Sequence, residues 1–398
     1  MNKIVTETKS STAVSSSTSK NTSITWLKKN LFSTWFNSLL TIVSLCFIFW
    51  AIRSLTDWAL TQAEWTVITA NLRIILVGYY PETSIWRIWT ALSIVVALTG
   101  FSWGTLSKDN LPVRTSLIIL AIVTAIFVAI SSWAAVRYSI LILGMLMLAA
   151  IATFLARSLF SSQTWLLLIW VLGFLVIVWL LVGGWLLESV PLNNISGLTL
   201  TLLVATVSIV LSLPFGILLA LGRQSELPVI CWLSTAYIEI FRGLPLIGIL
   251  FMAQIMLPLV LPSNVFLDRI VRAIAGYTMF TAACLAESVR GGLQSIPRGQ
   301  TEAAKALGLS FPLVIGLVIL PQALRAVIPS IVGQFISLFK DTSLLAVVSL
   351  VDLLGISQSI MANPKYAGHS VEIYLFIGLI YWIFCYSMSQ VGKKLEEH

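Results

Sequence analysis

Ala286–Pro321 reads AESVRGGLQSIPRGQTEAAKALGLSFPLVIGLVILP, and its middle obeys different rules from its ends. Both ends lie in apolar runs, while the middle has the signals of a short, water-exposed helix from Gln300 to Leu307. Pro297 stops the element before it, Thr301 and Glu302 suit a first turn, and Gly308 suits a left-handed cap after the last turn. Ala303, Ala304 and Ala306 make one face of this helix smooth and narrow. No apolar stripe wide enough for a core is present. Two readings are open: an ordinary turn between two spans, or a knob shaped for another protein's groove. In the second, Glu302 offers a charge to a basic partner residue.

The rest of the 398 residues explains why such a helix stands between apolar runs. The chain is 58% hydrophobic and 10% charged, with a mean hydropathy of +0.96. Soluble domains carry about 25% charged residues, so this chain cannot coat a soluble globule of its size. That excludes a soluble enzyme, a disordered chain and a nucleic-acid binder. The four cysteines, Cys46, Cys231, Cys284 and Cys385, are scattered without disulfide or metal-ligand spacing, and there are only two histidines. No metal or other cofactor is implied.

Apolar runs of about twenty residues, each long enough to cross a bilayer, predict an all-α polytopic membrane protein with about ten spans. Five fall at about Leu31–Ile52, Ile85–Trp103, Ser116–Val136, Ile140–Phe160 and Trp165–Leu187. Five more fall at about Ser196–Leu221, Cys231–Leu257, Val271–Val289, Ala323–Val348 and Val371–Val391. Residues 1–29 are Ser/Thr-rich with little to bury and read as a disordered cytoplasmic tail, not a signal peptide. The short apolar piece NLRIILVGYY, within Asp57–Glu82, reads as interfacial or re-entrant. Residues 30–190 form an amino-terminal, lipid-facing accessory region, and residues 191–398 form the working half.

Lys28 and Lys29 place the amino end in the cytoplasm. Ten spans then return the carboxyl end there, together with Arg223, the loop Arg290–Lys305, Lys393 and Lys394. The excess of positive charge, +8, thereby reports orientation in the membrane lipid. Arg269 and Arg272 go against the rule: they fall outside, with only Asp268 to balance them.

The second half carries charges inside or at the ends of its spans: Glu239, Arg242, Glu287, Arg290, Lys340 and Asp341. Such residues are costly in lipid and face protein or a water-filled path. Glu239 and Arg242 are three apart, as are Glu287 and Arg290, so each pair shares a helix face. Each pair reads as an ion pair anchoring a helix end, or as a lining or gate for a zwitterionic solute whose two charges need partners. Lys340 and Asp341 raise the same alternatives. Pro214 with Gly216, and Gly243 with Pro245, are expected to bend or break their helices.

The run Glu302-Ala303-Ala304, then Gly308, then Leu320-Pro321, resembles the "EAA" coupling loop of permease subunits in binding-protein-dependent ABC importers. Val318 stands where that pattern usually has Ile. More of the second half is similar to the polar amino-acid permeases: GLTLTLLVATVSIVLSLPFGILLALGR from Gly197, EIFRGLPL from Glu239, ESVRGGLQSIPRGQTEAAKALGLS from Glu287 and SLFKDTSLLAVVSLVDLLG from Ser337. The resemblance covers about half the chain. The first half, with NLRIILVGYYPETSIWR, more loosely resembles the long permease subunits of general L-amino-acid importers.

The resemblance implies a type I ABC importer permease core in the last five spans, located in a bacterial plasma membrane, the inner membrane of a Gram-negative cell. It implies a second permease subunit, a dimer of cytoplasmic ATPase subunits and a periplasmic or extracellular amino-acid-binding protein. It carries coupling to the ATPase onto Glu302, Ala303, Ala304, Ala306, Leu307 and Gly308. The chain has no Gly-rich loop ending in Gly-Lys-Ser/Thr, so ATP hydrolysis is assigned to the separate subunit. The rival reading is an ion-coupled secondary transporter of amino acids using Glu239 or Glu287. That predicts two related halves, and the halves here differ in charge and motif content.

Overall fold

The computed structural model describes residues 30–106, 144–156 apart from 146, 164–262 apart from 185, and 266–396. Their helices, in chain order, are α1 (Trp35–Thr61), α2 (Thr66–Val77), α3 (Ile85–Leu106), α4 (Met147–Ala156) and α5 (Thr164–Val182). There follow α6 (Gly197–Arg223), α7 (Pro228–Gly243), α8 (Leu246–Val260), α9 (Arg269–Ser295), α10 (Arg298–Ala306), α11 (Phe311–Leu345), α12 (Leu353–Met361) and α13 (Ser370–Glu396). The chain is all-α and polytopic. Six described helices are long and apolar enough to cross a membrane, or seven if α7 and α8 together make one span.

The expected count of ten is therefore not reached among the described residues. The span at Ser116–Val136 lies outside them, and the span at Ile140–Phe160 lies inside only as the short α4. Of the span expected at Trp165–Leu187, α5 covers the part up to Val182.

The described residues divide between two compact units, one ending at Glu64 and the other beginning at Trp65. In the first, α1 buries none of its residues. In the second, α9 packs along α6 and α11, and α11 along α13. Close packing in lipid needs small residues where backbones approach, and the buried positions here include Ala205, Ser208, Ser212, Gly216 and Ala220 on α6 with Ala282, Ala283 and Ala286 on α9.

The helix breaks follow local chemistry. Leu244 is extended (ψ 143°), as the residue before Pro245 is pushed to be, and the chain turns by 104° between α7 and α8. By contrast, α6 runs unbroken through Pro214, although a bend or break was expected there. A proline in a packed membrane helix is tolerated where neighbouring groups satisfy the backbone.

The piece NLRIILVGYY, expected to be interfacial or re-entrant, packs against the second half of the chain. Its first seven residues end α2, which buries Val67, Ile68, Asn71, Ile75 and Val77 and packs on α6, α12 and α13. The crossing is backbone to backbone. Gly197, with φ +64°, passes so close that a Cβ there would stand 2.7 Å from the Ile75 carbonyl. Thr199 Oγ1 donates to the Leu76 carbonyl at 3.1 Å, and Ser196 Oγ accepts from the Tyr79 amide at 2.8 Å.

Asp352 lies between α11 and α12 and is fully buried. It caps α12 by accepting from the Leu354 and Gly355 amides at 3.2 and 2.9 Å, with the Tyr381 hydroxyl at 3.5 Å. Burial pushes its carboxyl up to about 6, against the pull of those amides.

Candidate functional site

The exposed helix of the EAA run exists as α10, Arg298–Ala306, starting two residues and ending one residue earlier than its sequence signals suggested. Its end is built by hydrogen bonds. The Leu309 amide reaches the Ala304 carbonyl at 3.3 Å, and the Gly308 amide reaches Lys305 at 2.9 Å. This paired arrangement needs a left-handed residue at the turn, and Gly308 supplies it with φ +79°.

The three alanines do not share one face. Ala304 turns inward and is 3% exposed, packing with Ala220, Ile238, Ala286, Val289, Leu293, Val314, Ile319 and Ala323. Those residues come from α6, α7, α9 and α11, and α10 itself packs on the Val314–Ile319 segment of α11. Glu302, Ala303, Ala306, Leu307 and Gly308 remain exposed, with Leu307 82% exposed. The segment after α10, Val314–Ile319 in α11, is a π-helix.

The expected charges gather in part. Glu287 is a hub on α9: one carboxylate oxygen accepts from Arg290 Nε at 2.9 Å, with Arg290 Nη2 closer still. The other oxygen takes Arg223 Nη1 at 3.1 Å, with Arg242 Nη1 at 3.8 Å. Arg223 also reaches Glu239 at 2.9 Å. Thus Glu287 and Arg290 pair as their spacing suggests, while Glu239 and Arg242 each turn to other partners. Three guanidiniums and two carboxylates leave the cluster with one net positive charge. It joins the ends of α6 and α7 to α9.

Sequence spacing missed Arg223 as a site residue, because its partners lie on other helices. Its place at the end of an apolar run was the available signal. Lys340 and Asp341 form no ion pair with this cluster among the described residues. Lys340 is exposed, and the Asp341 main-chain carbonyl accepts from the Tyr277 hydroxyl at 2.7 Å.

Residues 212–397 match the family described as the binding-protein-dependent transport system inner membrane component. The chain is 38% identical, over 94% of its length and 92% of the relative's, to the inner membrane amino-acid ABC transporter permease protein YhdY of Escherichia coli K12. It is 35% identical, over 94% of its length and 93% of the relative's, to the glutamate/glutamine/aspartate/asparagine transport system permease protein BztC of Rhodobacter capsulatus. A shorter relative, the probable glutamine ABC transporter permease protein GlnP of Bacillus subtilis, is 38% identical over half of this chain and 90% of its own length. Family match, relatives nearly equal in extent and the multi-span helical fold agree, and the chain belongs to the amino-acid ABC importer permeases, transport subunits of the bacterial inner membrane.

Proposed function

We propose that this chain forms one side of a membrane path for amino acids, with a second permease as the other side, and that ATPase subunits move it through α10. The observation that carries the reading is the two-faced character of α10. Ala304 is buried in a cluster with residues of α6, α7, α9 and α11, while Glu302, Ala303, Ala306 and Leu307 are exposed. A push on the outer face would be passed to the ends of the spans as a rigid-body displacement. Gly308 ends the helix so that this face keeps its shape. ATP would be bound and hydrolysed on the partner subunits.

The cluster of Arg223, Glu239, Arg242, Glu287 and Arg290 would act as an inner gate whose ion pairs are exchanged as α6, α7 and α9 shift. Lys340 and Asp341 would act elsewhere on the path. Solute would arrive from a periplasmic amino-acid-binding protein, and both termini of the chain would be cytoplasmic. Relatives named for glutamate, glutamine, aspartate and asparagine transport make polar amino acids the class to try first.

The reading is tested by purifying the chain from its host membrane through a tag. An ATPase that co-purifies with the parent, and is lost from Leu307→Asp while that variant still inserts, supports it. An ATPase retained equally by both contradicts it.

A further inference from the structure

A second reinforced turn lies at the other end of α11. The Leu350 amide reaches the Leu345 carbonyl at 3.0 Å and the Ser349 amide reaches Ala346 at 3.2 Å. This is the same capping pattern as at Gly308. Here, however, the left-handed position is held by Ser349, at φ +61°, the single non-glycine with positive φ among the described residues. A Cβ in that conformation is strained, and strained backbone persists only where the surroundings over-determine it.

The surroundings are arginine. Arg269 Nη2 donates to the carbonyls of Val348 at 3.2 Å and Ser349 at 3.0 Å, groups that such a turn leaves without helical partners. Arg269 begins α9, and Gln254 Nε2 donates to its main-chain carbonyl at 2.7 Å. Arg272, one turn on, donates through Nη1 to the Gln254 main-chain carbonyl. Gln254 sits in the π-helical segment Met252–Met256 of α8. Neither arginine has an ion pair among the described residues. Arg272 Nε and Gln254 Oε1, a donor and an acceptor, are buried without partners.

We infer that Arg269, with Gln254 and Arg272, is a releasable clasp that holds the π segment of α8, the start of α9 and the turn after α11 together at the outer side of the membrane. Each component has somewhere to go. On release, Ser349 relaxes from its left-handed turn, the π segment can give up its extra residue, and Arg272 and Gln254 gain access to water. Such segments within α-helices are frequent at functional sites. A permanent brace would put glycine at position 349 and a carboxylate beside each guanidinium. The clasp rests on the permease reading above, because release is useful only to an outer opening that works in turn with an inner one.

The test uses the complex purified from its host through a tag on this chain, with the native cysteines replaced and spin labels at Leu259→Cys and Val347→Cys. Uptake and ATPase co-purification are measured on the same preparation. We expect one short inter-label distance without nucleotide and a second, longer one after trapping with ATP and vanadate. Arg269→Gln is expected to give the longer distance without nucleotide. Ser349→Gly relieves the strain and is expected to keep the shorter one under trapping, so it carries the test even where Arg269→Gln fails to assemble. An active parent complex whose distance is unchanged by trapping overturns the clasp alone. So does an Arg269→Gln variant that matches its parent. A parent that neither binds an ATPase nor transports contradicts the permease reading and takes the clasp with it.

Discussion

Arg223 and Glu287 stand 64 positions apart in the chain and 3.1 Å apart in space. Their contact fixes the end of α6 against α9, and Arg223 extends it to Glu239 on α7. A part-buried carboxylate surrounded by three guanidiniums should matter more than an exposed one touching a single arginine. Glu287→Gln is expected to cost about 2 kcal/mol of stability. Glu239→Gln, whose side chain is 58% exposed, is expected to cost less than about 1 kcal/mol. Thermal midpoints of the detergent-solubilised variants check the order. Arg223→Gln combined with Glu287→Gln should cost less than the two single changes added, because they share a bond.

The inward turn of Ala304 gives a sharper contrast. Ala304→Leu forces three extra carbons into a packed site and is expected to destabilise by about 1–3 kcal/mol. Ala306→Leu sits on the exposed face and should change stability by less than about 0.5 kcal/mol. If α10 is the ATPase contact, Ala306→Leu nonetheless blocks the approach of that subunit. Melting temperature and ATPase co-purification, measured side by side, separate the two effects.

At Gly308 a Cβ would meet nothing within 4 Å, so substitution there acts through the backbone alone. Gly308→Ala is expected to cost about 1 kcal/mol from the left-handed conformation. Unfolding of the purified variant reads this cost. An unchanged midpoint would mean that the helix end has shifted to another residue.

Asp352 should make stability depend on pH in a direction opposite to that of a salt-bridged carboxylate. Its folded pKa, about 6, lies above the ordinary 3.8, so the folded chain holds a proton that the unfolded chain has lost. Its contribution therefore falls as pH rises from about 4 to 6 and is flat above. Tyr381 is the titratable side chain hydrogen-bonded to it. Asp352→Asn keeps a capping side chain but cannot titrate. Melting temperatures across pH 4–7 should fall for the parent and lose that component in the variant.

Much of this was legible because membrane helices announce themselves by length and hydropathy. The run from Gly197 to Arg223 is one helix, Gly243–Pro245 is a break, and Gly308 takes a positive φ. What escaped depends on distance across the fold. The partners of Glu239 and Arg242 could not be read from their three-residue spacing, which gave each a neighbour on its own helix and not the one it uses. NLRIILVGYY reads as interfacial or re-entrant because it is too short to span. It is central because Gly197 lets its backbone approach α6, and a close approach leaves little trace in a single sequence. Ala304 could not be told from Ala303 and Ala306 by composition, since only the neighbouring helices decide which methyl is covered.

ATP-driven import through α10 is tested most directly by uptake in vesicles that contain the chain, its partner permease, the ATPase and the binding protein. With a labelled polar amino acid outside and ATP within, uptake should require ATP, persist when ion gradients are collapsed, and be lost in Leu307→Asp. Uptake driven by an ion gradient without ATP would contradict it.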